Sequence, residues 1–400
     1  MGMKFTRAAI DSIQASIQSL SKLSLTDAER RWLSTSCPFL QPRYLDYLSQ
    51  FRFRPDEEVH LEAIESGDPG ANGLFDLNIL VQGRWKDVIL YEVPLMSIIS
   101  QAYFEHVDTD WTLDGQEELA ANKSKQLVHA GIFYSEFGSR RRRSYETHRI
   151  VLQGLIRGER EVRKSTSSSS DINGSTSIAK GKLLGTSNVH FAQMYNLAPL
   201  GTVAHEWTMA IAALEGYDGV NLTSLIKWDQ VYAPPAFTPR APAEDLTIAL
   251  TDTFSTEVFW RDLMVPDGKG KEMLARWRGI RQDSGDSKAF TRRAKEAYER
   301  LGIDASKKIV LFSDGLTVDR CCELATYAKQ VGIGAGFGVG TNLTNDFRKA
   351  SDLKQGKKWD EAEKSKALNI VIKLYSLNGK PTVKISDELT KNTGDPDEVA

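Results

Sequence analysis

Gly201-Thr202-Val203-Ala204-His205-Glu206-Trp207 lies between two stretches of different character. Ahead of it, Leu197-Ala198-Pro199-Leu200 is short and apolar, which predicts a strand. Behind it, Thr208-Met209-Ala210-Ile211-Ala212-Ala213-Leu214 predicts a helix that stops near Gly216. His205 therefore falls where a strand hands over to a helix. The first turn of that helix has backbone N–H groups without intrahelical acceptors, a seat for an anion. A histidine there can bind phosphate, act as a base, or carry a phosphoryl group. Taken alone it reads more readily as a packed core residue, and the repeated layout is what turns it towards chemistry.

Six further segments share the same layout. Ile132-Phe133-Tyr134-Ser135-Glu136-Phe137-Gly138 runs into four arginines, Arg140 to Arg143. Leu183-Leu184 runs into Gly185-Thr186-Ser187-Asn188, and Leu246 to Leu250 into Thr251-Asp252-Thr253. Gly279-Ile280-Arg281 leads to Gln282-Asp283-Ser284-Gly285-Asp286, and Lys308 to Phe312 leads to Ser313-Asp314-Gly315. The stretch from Ile333 ends in Gly336-Phe337-Gly338-Val339-Gly340-Thr341-Asn342. Polar residues confined to the ends of seven strands, most followed by helices, predict an α/β fold of the irregular TIM-like barrel kind. Residues 130–350 are few for the ~250 typical of a full barrel, hence irregular. A doubly wound sheet is the alternative, although it gathers its polar ends at one switch point.

The remaining chain predicts an additional α+β domain over residues 1–125, the barrel over 126–364, and a hairpin and tail over 365–400. Ile10, Ile13, Ile17 and Leu20 have helical spacing, and Thr26-Asp27-Ala28-Glu29 predicts a second helix start. Phe51 to Arg54 and Leu74 to Ile79 predict strands, with Gly67-Asp68-Pro69-Gly70 as a turn and a helix from about Pro94. Residues 164–182, rich in Ser, Thr and Lys, predict a flexible insertion, and 234–242 a Pro-rich connection. Asn378-Gly379 between two β-rich runs predicts a hairpin, and the acidic end from Asp387 a frayed tail.

Composition narrows the function. The 51 basic and 53 acidic residues give a net charge of −2, so no overall field selects nucleic acid or a membrane surface. No apolar run approaches 18 residues and no signal-peptide core is present. Cys37, Cys321 and Cys322 are too few and too poorly spaced for a disulfide frame or zinc site. These features predict a cytoplasmic protein, and the arginine run leaves nuclear import open as well as a solvated face. Met1-Gly2 formally fits a myristoylation pattern, one short enough to recur by chance. The GxGxG run departs from the dinucleotide spacing. Its glycines and Thr341 suit a phosphate, and Arg140 suits a phosphate or carboxylate.

Together, GTVAHEW, RQDSGD, SDGL and GFGVGT resemble nicotinate phosphoribosyltransferases, over most of the chain from about Lys4. The resemblance implies an ATP-coupled enzyme, classed with the ligases, of NAD biosynthesis. Nicotinate displaces pyrophosphate from C1 of 5-phosphoribosyl 1-pyrophosphate while ATP phosphorylates His205. Thr202 and Arg281 contact nicotinate, Arg281 pairing its carboxylate. Gly338, Gly340 and Thr341 hold the 5′-phosphate, and Phe137, Gly138 and Arg140 line the base and phosphate pocket. Asp283 and Asp314 serve ribose or metal, Mg2+ assists the departing pyrophosphate, and Glu206 orients the imidazole or caps its helix. A homodimer is implied. The family's Asp-x-Tyr-Lys-x-Thr-Met segment and its C-terminal helix are not seen, which keeps open a truncated, non-catalytic paralogue. A nicotinamide- or quinolinate-using relative is the nearer alternative.

Overall fold

The computed structural model describes residues 3–68, 70–71, 73–168, 181–232 and 246–394. Its N-terminal part is built on the helix Arg7–Ser19, whose first turn is capped by Thr6 accepting the Ala9 N–H at 3.2 Å. Ile10, Ile13 and Ile17 fall on one face at the expected spacing and are buried. The helix Asp27–Ser36 starts on a full capping box, with Thr26 and Glu29 satisfying each other's backbone N–H. A small antiparallel sheet lies beside these helices, in the order β1 (Phe5–Thr6), β3 (Leu74–Val81), β2 (Val59–Glu65).

Phe51 to Arg54 do not form the expected strand. Pro55 sits at the first position of a helical turn, Pro55–Glu58, and removes a ladder donor. The alternating aromatics instead build an edge-to-face cluster, Phe51 against Phe53 at 4.9 Å and Phe53 against Tyr91 at 4.7 Å. The helix expected near Pro94 begins at Glu92 and runs to His106.

Seven parallel strands form the main sheet: β4 (Phe133–Glu136), β5 (Lys182–Thr186), β6 (Ala198–Pro199), β7 (Ile248–Leu250), β8 (Gly279–Gln282), β9 (Ile309–Phe312) and β10 (Gly334–Val339). Their spatial order is β6-β5-β4-β10-β9-β8-β7, a curled half-barrel whose two edges, β6 and β7, share no ladder. Its core includes Tyr134, Leu152, Phe259, Trp277, Val310, Phe312 and Phe337. The boundary expected at 125/126 falls inside the helix Gln116–His129. Ala120, Leu127 and Val128 of that helix belong to the barrel core.

Two further expectations are corrected. The segment expected to be a flexible insertion begins as helix, because Tyr145–Ser168 is continuous, and ends as strand, because Lys182 already pairs with Phe133. Residues 169–180 and the Pro-rich 234–242 lie outside the described residues. The tail from Asp387 is not frayed through residue 394. Asp387 accepts the Thr256 N–H at 2.7 Å and Glu388 the Gly285 N–H at 2.8 Å, so these two acids are spoken for.

Short pairs β11 (Phe347–Arg348) with β12 (Lys364–Ser365), and β13 (Ser376–Leu377) with β14 (Lys380–Pro381), follow the barrel. The second is the expected hairpin, with Asn378 and Gly379 both at positive φ as its tight turn requires. Its flanks diverge: Leu368, Ile370 and Ile372 pack into the N-terminal core, whereas Val383 and Ile385 pack beside Ile211 and Phe254. Among the described residues, no helix is long and apolar enough to cross a membrane.

The arginine run is not a solvated face. Arg143 is fully buried between Phe104 (3.8 Å) and Phe347 (4.2 Å) and donates to Asn345 and Ser365. Burial lowers its pKa to about 9. It joins the turn after β10 to the N-terminal part. Truncating such a group removes both packing and hydrogen bonds. We expect Arg143→Ala to cost about 3 kcal/mol in urea unfolding.

Candidate active site

His205 opens the helix His205–Glu215 and is 5 % exposed. Its Nδ1 lies 3.1 Å from Thr253 Oγ1, and its Nε2 lies 3.2 Å from Asp283 Oδ2 and 3.8 Å from Asp252 Oδ1. Thr253 and Asp252 follow β7, and Asp283 follows β8, so the imidazole of one sheet edge is held from the other. Burial drives the His205 pKa down to about 4, against the pull of Asp283 and Asp252. The ring is therefore neutral at physiological pH.

Asp283 is the hub of the site. Its Oδ1 accepts Arg281 at 2.9 Å and Ser313 Oγ at 2.7 Å, and its Oδ2 faces His205. Burial, the largest single influence, would raise this carboxyl, but the Arg281 charge and the hydrogen bonds from His205 and Ser313 together outweigh it and hold the group well below the usual carboxylate range. Since His205 is neutral, the guanidinium supplies that charge. Arg281 also donates through Nε to Ser313 at 2.8 Å, and through one terminal nitrogen to Thr202 Oγ1 at 2.8 Å and to the Val203 carbonyl at 3.2 Å. These bonds and Asp283 use four of its five N–H groups. A bidentate grip on a carboxylate would thus displace a present acceptor. The turn after β8 is tight, with Gly285 at φ 76°, and Asp286 caps the next helix through the Ala289 N–H.

Across the sheet, Phe137 and Gly138 follow β4, where the Phe137 N–H donates to the Val339 carbonyl of β10 at 2.8 Å. Gly338 allows Phe137 to lie against β10, since a Cβ there would come within 2.3 Å of the ring. At Gly138 a Cβ would strike Thr344 at 2.1 Å. The need for glycine at these two positions is thus met by the protein's own packing. Gly340 and Thr341 begin the next turn, both half-buried. Arg140 reaches Glu92 at 3.4 Å and is 38 % exposed, the most open of the site's cations on this side.

Glu206 does neither thing expected of it. It accepts the Trp85 indole N–H at 3.0 Å, and the helix start has no side-chain cap. Asp314 pairs with Lys391 at 2.8 Å. The structure thus brings His205, Asp283, Arg281 and Thr202 into one bonded cluster. Phe137, Gly138, Gly338, Gly340, Thr341 and Arg140 sit on the adjoining β4–β10 side.

Sequence reasoning missed Thr253 and Ser313 and gave Asp252 no role. All three stand in the polar strand ends and could have been found there. It also missed Lys384, which carries no motif. Lys384 is buried, with Nζ 3.7 Å from Asp252 Oδ2. Lys373 comes in on the same segment, and burial together with Arg140 and Lys384 depresses its pKa.

His205, Asp252 and Asp283 could together hold a cation, with one ligand atom from each within 4.8 Å of the others. Asp252 Oδ1 is buried and has no hydrogen-bond donor, although Ser284 satisfies Oδ2 at 2.6 Å. The free Asp252 Oδ1, with Asp283 Oδ2 if it gave up the His205 contact, suits Mg2+, a hard ion that prefers oxygen; the imidazole is the poorer donor for it.

A half-barrel of parallel strands that gathers a buried histidine, acids and arginine at its C-terminal ends has the architecture of a phosphoribosyltransferase-type barrel enzyme. Residues 2–100 match the nicotinate phosphoribosyltransferase N-terminal domain, and residues 132–400 match the nicotinate phosphoribosyltransferase (NAPRTase) family. The chain belongs to that family. It is 38 % identical over 398 residues to a probable nicotinate phosphoribosyltransferase of Schizosaccharomyces pombe, covering 99 % of this chain and 87 % of the relative. Identity to the Saccharomyces cerevisiae nicotinate phosphoribosyltransferase is 37 %, covering 98 % and 84 %. The crystal structure of the Porphyromonas gingivalis nicotinate phosphoribosyltransferase superposes with a TM-score of 0.79 at 31 % identity, covering 100 % and 88 %.

An ordinary histidine titrates near pH 6.5. His205 should keep its neutral chemical shifts in an NMR titration from pH 8 to 5. Because its folded pKa is depressed, its contribution to stability is intact above about 6.5 and is lost as pH falls towards 4.

Proposed function

We propose that this protein transfers the phosphoribosyl group of 5-phosphoribosyl 1-pyrophosphate to nicotinate, giving nicotinate mononucleotide and pyrophosphate. We further propose that it couples this step to ATP hydrolysis through a phosphoryl group on His205. The carrying observation is the neutral, buried imidazole held between Thr253 and Asp283 at a helix start.

A neutral imidazole keeps a lone pair for attack on the γ-phosphorus of ATP. The adjacent carboxylates favour the tautomer with its proton on Nε2. That tautomer keeps its lone pair on Nδ1, beside Thr253, so the new N–P bond forms at Nδ1 as the bond to ADP breaks, while the Nε2 proton stays shared with Asp283, which balances the charge on the ring. The phosphorylated ring then carries negative charge towards Lys384 and Lys373. Hydrolysis of the N–P bond by water after product release returns the free ring. Differential binding of substrate by the two forms of His205 would couple the cycles.

In the transfer step the nicotinate ring nitrogen bonds to C1 as the bond to pyrophosphate breaks. The centre becomes cation-like, so the residues act by positioning and by charge. Arg281 and Thr202 take the nicotinate carboxylate. Gly338, Gly340 and Thr341 take the 5′-phosphate, with Phe137 and Gly138 shaping the wall between. Arg140, Lys373 and Lys384 face the pyrophosphate, and Asp314 the ribose. Mg2+, for which Asp252 and Asp283 are suitable donors, would supply positive charge to the leaving pyrophosphate. Leu184 on β5 and Val189 and Met194 on the helix that follows it are exposed apolar side chains that a second copy would cover in a homodimer. A cytoplasmic setting accords with this chemistry.

Two measurements test the reading. His205→Ala should incorporate no acid-labile label from γ-labelled ATP while keeping its circular dichroism spectrum; label on another residue of the intact protein would refute the assignment. Arg281→Lys keeps the charge but loses the planar fork. It should weaken nicotinate binding about tenfold or more, the scale of one charge-assisted hydrogen bond, with a smaller change for phosphoribosyl pyrophosphate. Equal loss of both would place Arg281 on the phosphates.

A further inference from the structure

Glu136, the last residue of β4, is fully buried and plays no part in the chemistry above. Its Oε2 accepts from Thr186 Oγ1 at 2.5 Å and from His148 Nε2 at 2.8 Å, and its Oε1 accepts the Gly138 N–H. Its backbone carbonyl accepts the Ser187 N–H at 2.8 Å. One residue thus binds the turn after β4 to the end of β5 through its side chain and to the turn beyond it through its carbonyl. His148 comes from the long helix Tyr145–Ser168 and stands edge-on to Phe191 at 4.8 Å. Its Nδ1 is buried without a hydrogen-bond partner, so its whole polar contribution goes to Glu136.

We propose that Glu136 is a positioning residue for substrate, which with His148 and Thr186 fixes the turn carrying Phe137, Gly138 and Arg140. This rests on the proposed function, in which that turn meets the base and the pyrophosphate.

A buried carboxylate and imidazole are rarely better for stability than apolar residues of the same volume. Earlier on the strand the ring of Tyr134 packs in the apolar core, its hydroxyl donating to Ser124, whereas the buried charge stands where the strand gives way to the turn. Three donors converge on the two carboxylate oxygens and each comes from a different piece of backbone. Burial alone would raise the Glu136 carboxyl, but His148, Thr186 and the Gly138 N–H outweigh burial and hold it below the usual carboxylate range. The ionised form offers acceptors only, as three donors require. A glutamine amide would set an NH2 group against at least one of them. The turn is held from its other side by Thr344, which donates to the Gly138 carbonyl at 3.1 Å, and by Ser97, which donates to the Ser139 carbonyl at 2.8 Å. With the carboxylate in place, Phe137 and Arg140 have little freedom to lose when substrate arrives.

The test is calorimetric binding of nicotinate and of phosphoribosyl pyrophosphate to full-length wild type, Glu136→Gln, His148→Ala and His148→Gln, with steady-state kinetics alongside. A glutamine at 148 can present an N–H near the position of Nε2; alanine cannot. We expect Kd and KM to rise at least tenfold in Glu136→Gln and His148→Ala, kcat to stay within about threefold, and His148→Gln to recover most of the loss. Variants with a lowered Tm but unchanged Kd would overturn the proposal and leave Glu136 a fold residue. If Glu136→Gln does not fold, the two His148 variants decide, and equal defects in both would also overturn it. Wild-type protein that binds neither ligand would overturn the proposed function together with this inference.

Discussion

The sheet is open, and the whole site depends on how its two edges are brought together. β6 and β7 share no hydrogen bond. The gap is bridged by His205, which follows one edge and bonds Thr253, which follows the other. Behind it, Ile211 and Ala212 pack against Phe254, Val383 and Ile385. A full barrel would spend backbone hydrogen bonds on this seam. Here side chains do the joining, and the histidine that joins them is also the nucleophile of the proposed reaction. Its burial follows from that structural duty, and its neutral state follows from its burial.

Charge within the site is arranged around Asp283. Arg281 fixes its ionised form, Ser313 and His205 read that form by hydrogen bonding, and Thr202 is tied in through Arg281. Strand ends from β6, β8 and β9 are thereby locked into one bonded unit. A group belonging to several strands at once is insensitive to fluctuation in any single one, which is what a positioning site needs.

Much of this was legible in the chain because it is written in local pattern. Ile10, Ile13 and Ile17 gave their helix by spacing, Thr26 and Glu29 gave a helix start, and the strand-then-polar repeat gave the barrel and His205's place in it. What was not legible depends on contacts far apart in sequence. Phe51 to Arg54 alternate like a strand, yet Pro55 and the distant Tyr91 decide otherwise. The four arginines look alike in sequence, but Arg143 is caged by Phe104 and Phe347 while Arg140 stays open. Lys384 sits 132 positions from Asp252, beyond the reach of any motif. Glu206 neighbours the histidine in sequence but turns to Trp85, 121 positions away.

The segment from Lys384 to Lys391 crosses three strand ends. Asp387 holds Thr256 after β7, Glu388 holds Gly285 after β8, and Lys391 holds Asp314 after β9. Translation delivers a chain in order from its N-terminus, and domains fold as they emerge. The strand-end motifs leave the ribosome well before this segment does. A nascent chain with His205, Arg281 and Thr341 all in place still lacks Lys384 beside Asp252, and its strand ends are untied. A chain stalled before residue 384 would thus carry every recognisable motif on strand ends that this segment does not yet tie together.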